Sequence, residues 1–88
     1  MVLVRNPALQ ARVVDSETII LDRSTGYVHR LNATASVLWA GFNGETSTED
    51  VIMSFVAKFD AEHGRARRDA LALIEELRDL ELLQDLDR

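Results

Sequence analysis

The sequence predicts an α+β fold in which a three-stranded antiparallel sheet precedes three helices. Residues 11–31 are short runs rich in β-branched and aromatic side chains, separated by turn-forming residues. From Ala33 onward the apolar spacing is helical. The two patterns segregate along the chain instead of alternating, which selects helices grouped beside a sheet over a parallel α/β arrangement. The change of pattern falls within Gly26–Trp39, with Asn32 as the joint.

Val2–Val4 reads as a short strand or a leader, with Pro7 limiting pairing beyond it. Ala11–Asp15 and Thr18–Asp22, separated by Ser16-Glu17, form a hairpin pattern. Arg23-Ser24-Thr25-Gly26 is a second turn, in which Gly supplies positive φ. Tyr27-Val28-His29-Arg30-Leu31 completes the meander. Asn32 suits an N-cap, because its side-chain oxygen can accept from the free amides of the next turn. The first helix is expected from Ala33 to Gly41 with Val37, Leu38 and Trp39 turned inward, ended by Gly41 or Gly44. Thr46 with Glu49, or Ser47 with Asp50, has capping-box spacing and opens a second helix. Val51, Ile52, Phe55, Val56 and Phe59 give that helix one apolar face. Asp60–Gly64 is a polar break. The third helix is expected from near Arg67 to about Leu80, with Ala70, Leu73, Ile74 and Leu77 at core spacing. Leu82-Leu83 should fold back onto the body, leaving Asp85–Arg88 frayed.

With 88 residues, 47% of them hydrophobic and only four Gly and one Pro, the chain is expected to be one globular domain spanning residues 1–88. No cysteine is present, which excludes a disulfide framework or a thiolate zinc site and fits a cytoplasmic location. Met1–Arg5 is too short an apolar run for a signal peptide, and no stretch approaches the ~20 apolar residues of a membrane span. A net charge of −5 argues against whole-surface affinity for nucleic acid.

A catalytic reading lacks parts. Without Cys, a Ser or Thr nucleophile would need His29 or His63 as base, and no Gly-rich phosphate loop is present. The expectation is a protein without enzymatic activity and without a cofactor. Asp60, Glu62 and His63 could form a metal cluster, but such a group in four loop residues reads first as a solvated turn. Trp39 reads as a core anchor ahead of a stacking platform. His29 shares a strand face with Tyr27 and Leu31 and is expected to be partly buried.

Two surfaces remain. If the strand Tyr27–Leu31 lies at a sheet edge, its backbone groups are open to an added strand. On the third helix, Arg67, Leu71, Glu75 and Arg78 lie just off the core face. Arg65, Arg67 and Arg68 cluster at the start of this helix, where cations oppose the helix dipole. They are either solvated arginines balanced by Asp69, Glu75 and Glu76, or a site that reads carboxylates or phosphates.

Gly26 through Asn32, Ala33-Thr34-Ala35, Leu38-Trp39, Asn43-Gly44-Glu45-Thr46, Phe59, Asp69, Leu77 and Glu81-Leu82-Leu83 together resemble the PqqD-like family. The resemblance runs from about Arg12 to Leu83. It implies a winged helix-turn-helix-like peptide-recognition domain that binds the leader segment of a ribosomally made precursor as a strand added to Tyr27–Leu31, clamped by the third helix. The short arginine-bearing chain is most similar to the separate leader-binding subunit of lasso-peptide biosynthesis. That subunit would hand the precursor to a leader peptidase and a macrolactam synthetase. On this reading Tyr27, Val28, His29, Arg30 and Leu31 pair with the leader backbone, and Leu71 and Ile74 receive its apolar side chains. Arg67, Arg68 or Arg78 bind its acidic ones, beside Glu75. The chain departs from the family's commoner pattern at Glu81, where a Gly often precedes the closing Leu-Leu. Two other readings are a winged-helix DNA-binding protein with the third helix on phosphates, and a dimerisation module using the same strand edge.

Overall fold

The computed structural model describes residues 2–59 and 64–86. In chain order it contains β1 (Leu3–Arg5), β2 (Gln10–Val14), β3 (Glu17–Asp22), β4 (Tyr27–Leu31), α1 (Ala33–Ala40), α2 (Thr48–Phe59), α3 (Arg65–Asp79) and β5 (Leu83–Asp85). Strands β2, β3 and β4 form the expected antiparallel meander, in that spatial order. A second, two-stranded sheet pairs β1 with β5. Asp85, expected to fray, is therefore a strand residue opposite Leu3. The candidate cluster Asp60, Glu62 and His63 lies outside the described residues.

The β2–β3 connection has the expected two residues but lies one position earlier in the chain. Asp15 and Ser16, at φ 52° and 70°, form the two-residue turn, and Glu17 pairs with Val14 as the first residue of β3. Two successive positive φ angles match the right-handed twist of the flanking strands, so the hairpin closes one residue earlier. In the next turn Asp22 accepts from the Ser24 amide and hydroxyl, and Gly26 takes φ 80° while its amide reaches the Asp22 carbonyl.

Asn32 caps α1 as expected, accepting from the Ala35 amide at 2.8 Å. The rotation of α1 differs from expectation: Ala35, Ser36, Leu38 and Trp39 are buried while Val37 is exposed. Ser36 is drawn inward by polar partners. The Thr18 hydroxyl donates to it at 2.8 Å, and its own hydroxyl donates to the Leu31 carbonyl, a buried relay joining β3, α1 and β4. Ser47, not Thr46, caps α2, accepting from the Asp50 amide. Val51, Ile52 and Phe55 are buried, with Val56 and Phe59 packed partly against them. Helix α3 starts two residues before the expected Arg67 and buries Ala66, Ala70, Ile74 and Leu77.

The core lies between the helices and one face of the β3–β4 hairpin, with Leu3, Ile20, Leu38, Phe42, Ile52, Leu77 and Leu82 fully enclosed. Trp39 is the expected anchor, donating its indole N–H to the Leu82 carbonyl at 3.0 Å with Arg5 stacked 5.6 Å from its ring.

Helix α3 ends in a Schellman motif. The Leu82 amide donates to Leu77 and the Glu81 amide to Arg78, with Glu81 itself left-handed at φ 62°. This is the position where a glycine is favoured, and Glu carries the steric cost of its Cβ. Glu81→Gly should therefore raise stability by about 0.5–1 kcal/mol and Tm by roughly 2–8 °C, with Glu81→Ala showing no comparable gain. Calorimetry of the three proteins checks this; an equal gain from Glu81→Ala would assign the effect to charge.

Candidate functional site

Strand β4 is paired only on its β3 side, in the register Thr18↔Leu31, Ile20↔His29 and Asp22↔Tyr27. Its other edge is unpaired among the described residues. The pleat sends Tyr27, His29 and Leu31 to the helical side, with Thr18 and Ile20, and Val28 and Arg30 to the opposite face. Burial grades along the strand. Leu31 is buried, His29 half-buried and Tyr27 exposed, its ring meeting His29 edge-on at 6.4 Å. The partial burial expected of His29 is found.

The second open edge, β2, differs in kind. Every residue of β2 is exposed, so the strand overhangs the helical layer. A strand added to β4 would continue the wall of the core. One added to β2 would meet water on both faces.

The residues selected on α3 stand along one flank. Leu71, Ile74, Glu75 and Arg78 line a cleft of about 330 Å³ closed by Thr48 at the start of α2. Leu71 is 46% exposed, whereas Ile74 belongs to the core and offers only its edge as floor. Arg67 is engaged: its guanidinium grips Glu49 through two hydrogen bonds of 2.8 and 3.1 Å, tying the starts of α2 and α3 together. Arg78 pairs with Asp85 of β5, and Arg65 approaches Asp69 at 4.0 Å. Arg68 is exposed. The helix start therefore carries arginines largely balanced by carboxylates: Arg65 by the expected Asp69, and Arg67 by Glu49 in place of the expected Glu75 or Glu76. This arrangement does not favour the phosphate contacts that a DNA-binding recognition helix needs.

The two sets of selected residues are held by different neighbours. Strand β4 packs on β3 and α1; α3 packs on α2 and β5. No hydrogen bond or ion pair among the described residues joins Tyr27–Leu31 to Arg67, Leu71, Glu75 or Arg78. Arg30 instead pairs with Glu17 across the sheet at 2.8 Å.

Thr48 and Glu49 were not selected from sequence. Thr48 is the only described residue with a buried side-chain polar atom lacking a hydrogen-bond partner. The signal was present in Thr46-Ser47-Thr48: only one of three adjacent hydroxyls can cap the helix, and Ser47 does. Among the described residues no group of three or more His, Asp or Glu side chains is placed to hold a metal ion, and no helix is long and apolar enough to cross a membrane.

These features define a winged-helix-like α+β domain that presents an unpaired strand beside a helical layer. The chain belongs to the PqqD family: the family model described as Coenzyme PQQ synthesis protein D (PqqD) matches residues 17–83. Among solved structures, the chain is similar to "TbiB1 in Complex with the TbiA(beta) Leader Peptide", with a TM-score of 0.80 at 21% identity over 97% of this chain and 99% of that one. It is similarly close to "Lasso peptide synthetase B1 complexed with the leader peptide", with a TM-score of 0.79 at 22% identity over 97% of this chain and 100% of that one. No curated protein matches the chain.

The Arg67–Glu49 pair makes a pH prediction. Hydrogen bonding from Arg67, reinforced by its charge, holds the Glu49 carboxyl below its ordinary 4.5. A carboxylate depressed in the folded state stabilises the fold above its unfolded pKa and loses that contribution as pH falls through the folded one. The urea midpoint should therefore decline as pH drops below about 4.5, and Glu49→Gln should decline less over the same window. Both groups are exposed, so the difference is small. Parallel titration curves for parent and variant would show that the pair adds no stability.

Proposed function

We propose that this protein binds the leader segment of a ribosomally synthesised precursor peptide, without catalysis, in the cytoplasm. The leader adds as a strand to the open edge of β4, with α3 clamping it, and is delivered to a leader peptidase and a macrolactam synthetase. The observation that carries this reading is the graded burial of β4: an unpaired edge whose inner residues, Leu31 and His29, already abut the core. Backbone pairing there supplies affinity that tolerates sequence, because the peptide's amides and carbonyls are the same whatever its side chains. Selectivity comes from the side chains. On the α3 flank the cleft at Leu71, Ile74 and Glu75 takes apolar groups. Arg67, Arg68 or Arg78 take acidic ones, Arg67 and Arg78 by exchanging their present partners Glu49 and Asp85 for carboxylates of the peptide. The family membership and the leader-peptide complexes of its structural neighbours support the same assignment.

Only alternate amides of an added strand face its partner. Stepwise N-methylation of a fluorescein-labelled lasso-precursor leader should therefore weaken binding with a period of two. Affected positions should lose roughly 3- to 10-fold each, the value of one net hydrogen bond. Fluorescence anisotropy reads the result, and Leu71→Asp and Arg67→Glu should each weaken binding further. A uniform response to methylation would eliminate strand addition, and parent-like affinity in both variants would eliminate the α3 clamp.

A further inference from the structure

The outer face of the β2–β3–β4 sheet, opposite the helices, is not built as a solvated face. An antiparallel sheet covered on one side ordinarily alternates apolar inward and polar outward. Here the outward positions of three neighbouring strands include Val14, Ile19, Leu21 and Val28, with Leu21 directly opposite Val28. Val14 and Val28 are 47% and 64% exposed. Ile19, Leu21 and Val28 adjoin one another on β3 and β4, with Val14 at the corner opposite Glu17, and a cluster of this kind marks an interaction surface and not scattered exposure.

Charge on this face is equally ordered. Register places Arg12 and Arg30 on either side of Ile19 in one row. Arg23 reaches over from the turn to the Gln10 side chain with two hydrogen bonds, 3.1 and 3.2 Å. Among the outward strand positions described, Glu17 is the one carboxylate, and it is spent on Arg30. A net positive apolar face thus stands on a chain whose total charge is −5. A shallow depression of about 650 Å³ over Arg12, Ile19 and Leu21 marks its centre.

We propose that this face docks a protein partner whose own contact surface is apolar at the centre and carboxylate-bearing at the rim. The enzymes that receive the bound peptide are where such a partner is sought, so the choice of probe rests on the function proposed above. The apolar centre supplies affinity, and the arginines steer the encounter and set its orientation. The face lies across the sheet from the side where Leu31 and His29 meet the core. Edge pairing uses backbone groups, so a leader on β4 and a partner on the outer face can be held together.

The test measures two bindings on the same samples. The immobilised chain is offered the leader peptidase and, separately, the macrolactam synthetase of the same precursor, at low and high salt. Leader binding is followed in parallel by anisotropy. At least one enzyme should bind, more weakly at high salt. Arg12→Glu/Arg23→Glu and Ile19→Asn should each reduce that binding about tenfold or more, while leader affinity stays within about twofold of parent. Docking unaffected by both variants, or docking of neither enzyme while the leader binds, overturns the inference. A dimer seen by light scattering that Arg12→Glu disperses gives the face to a second copy, and salt-sensitive duplex DNA binding lost in the same variants gives it to nucleic acid; either also overturns it. A parent chain that binds no leader overturns the function proposed above instead.

Discussion

The carbonyl of Leu82 is the point on which the arrangement of the chain depends. It accepts the Trp39 indole N–H from α1 and the Asn6 amide from the segment after β1, while the Leu82 amide closes the end of α3 on Leu77. Three elements are thereby fixed to the backbone of one residue. The group is buried, so leaving any of these donors unpaired would cost more than the bond itself contributes. From Trp39 the constraint passes along α1 to its Asn32 cap and so to Leu31. The position of the open strand relative to α3 is thus set by a continuous run of hydrogen bonds and packed side chains.

A domain of this size has little stability to spare. It nonetheless leaves apolar side chains exposed on a sheet face and backbone groups open on a strand edge. The ion pairs of α3 do not offset this, since exposed pairs contribute little to stability. Their effect is positional: Arg67 and Glu49 hold the starts of α2 and α3 together, and Arg78 holds β5 against α3. The stability comes from the enclosed residues, with Ile20, Leu38, Phe42 and Leu77 drawn from β3, α1, the loop after α1 and α3.

Local signals in the sequence were legible. The Asn32 cap, the Gly26 turn and the apolar face of α2 all depend on residues a few places apart. What was missed depends on contacts over long separations. The rotation of α1 could not be read from its composition, because Ala, Ser, Val and Leu surround the short helix on every side, and Ser36 is drawn inward by Thr18 and the Leu31 carbonyl. The β1–β5 pairing joins the two ends of the described chain and has no local signature. On α3 the spacing located the outward residues correctly, but the partners of Arg67 and Arg78 lie on α2 and β5, outside any helical repeat. Glu81 shows the converse: the departure from glycine was visible in the sequence, and the left-handed backbone remains without it.

The small β1–β5 sheet has a consequence for how such a domain can be connected. Leu3 stands opposite Asp85, so the two ends of the described chain lie side by side at one edge of the body. Joining them would demand a linker of only a few residues, and opening the chain elsewhere would leave the core intact. A domain built this way can be circularly permuted at an exposed turn such as Arg23–Gly26, or set into a surface loop of a larger enzyme, without stretching either partner. Its strand edge and its cationic sheet face would then travel together as one portable unit.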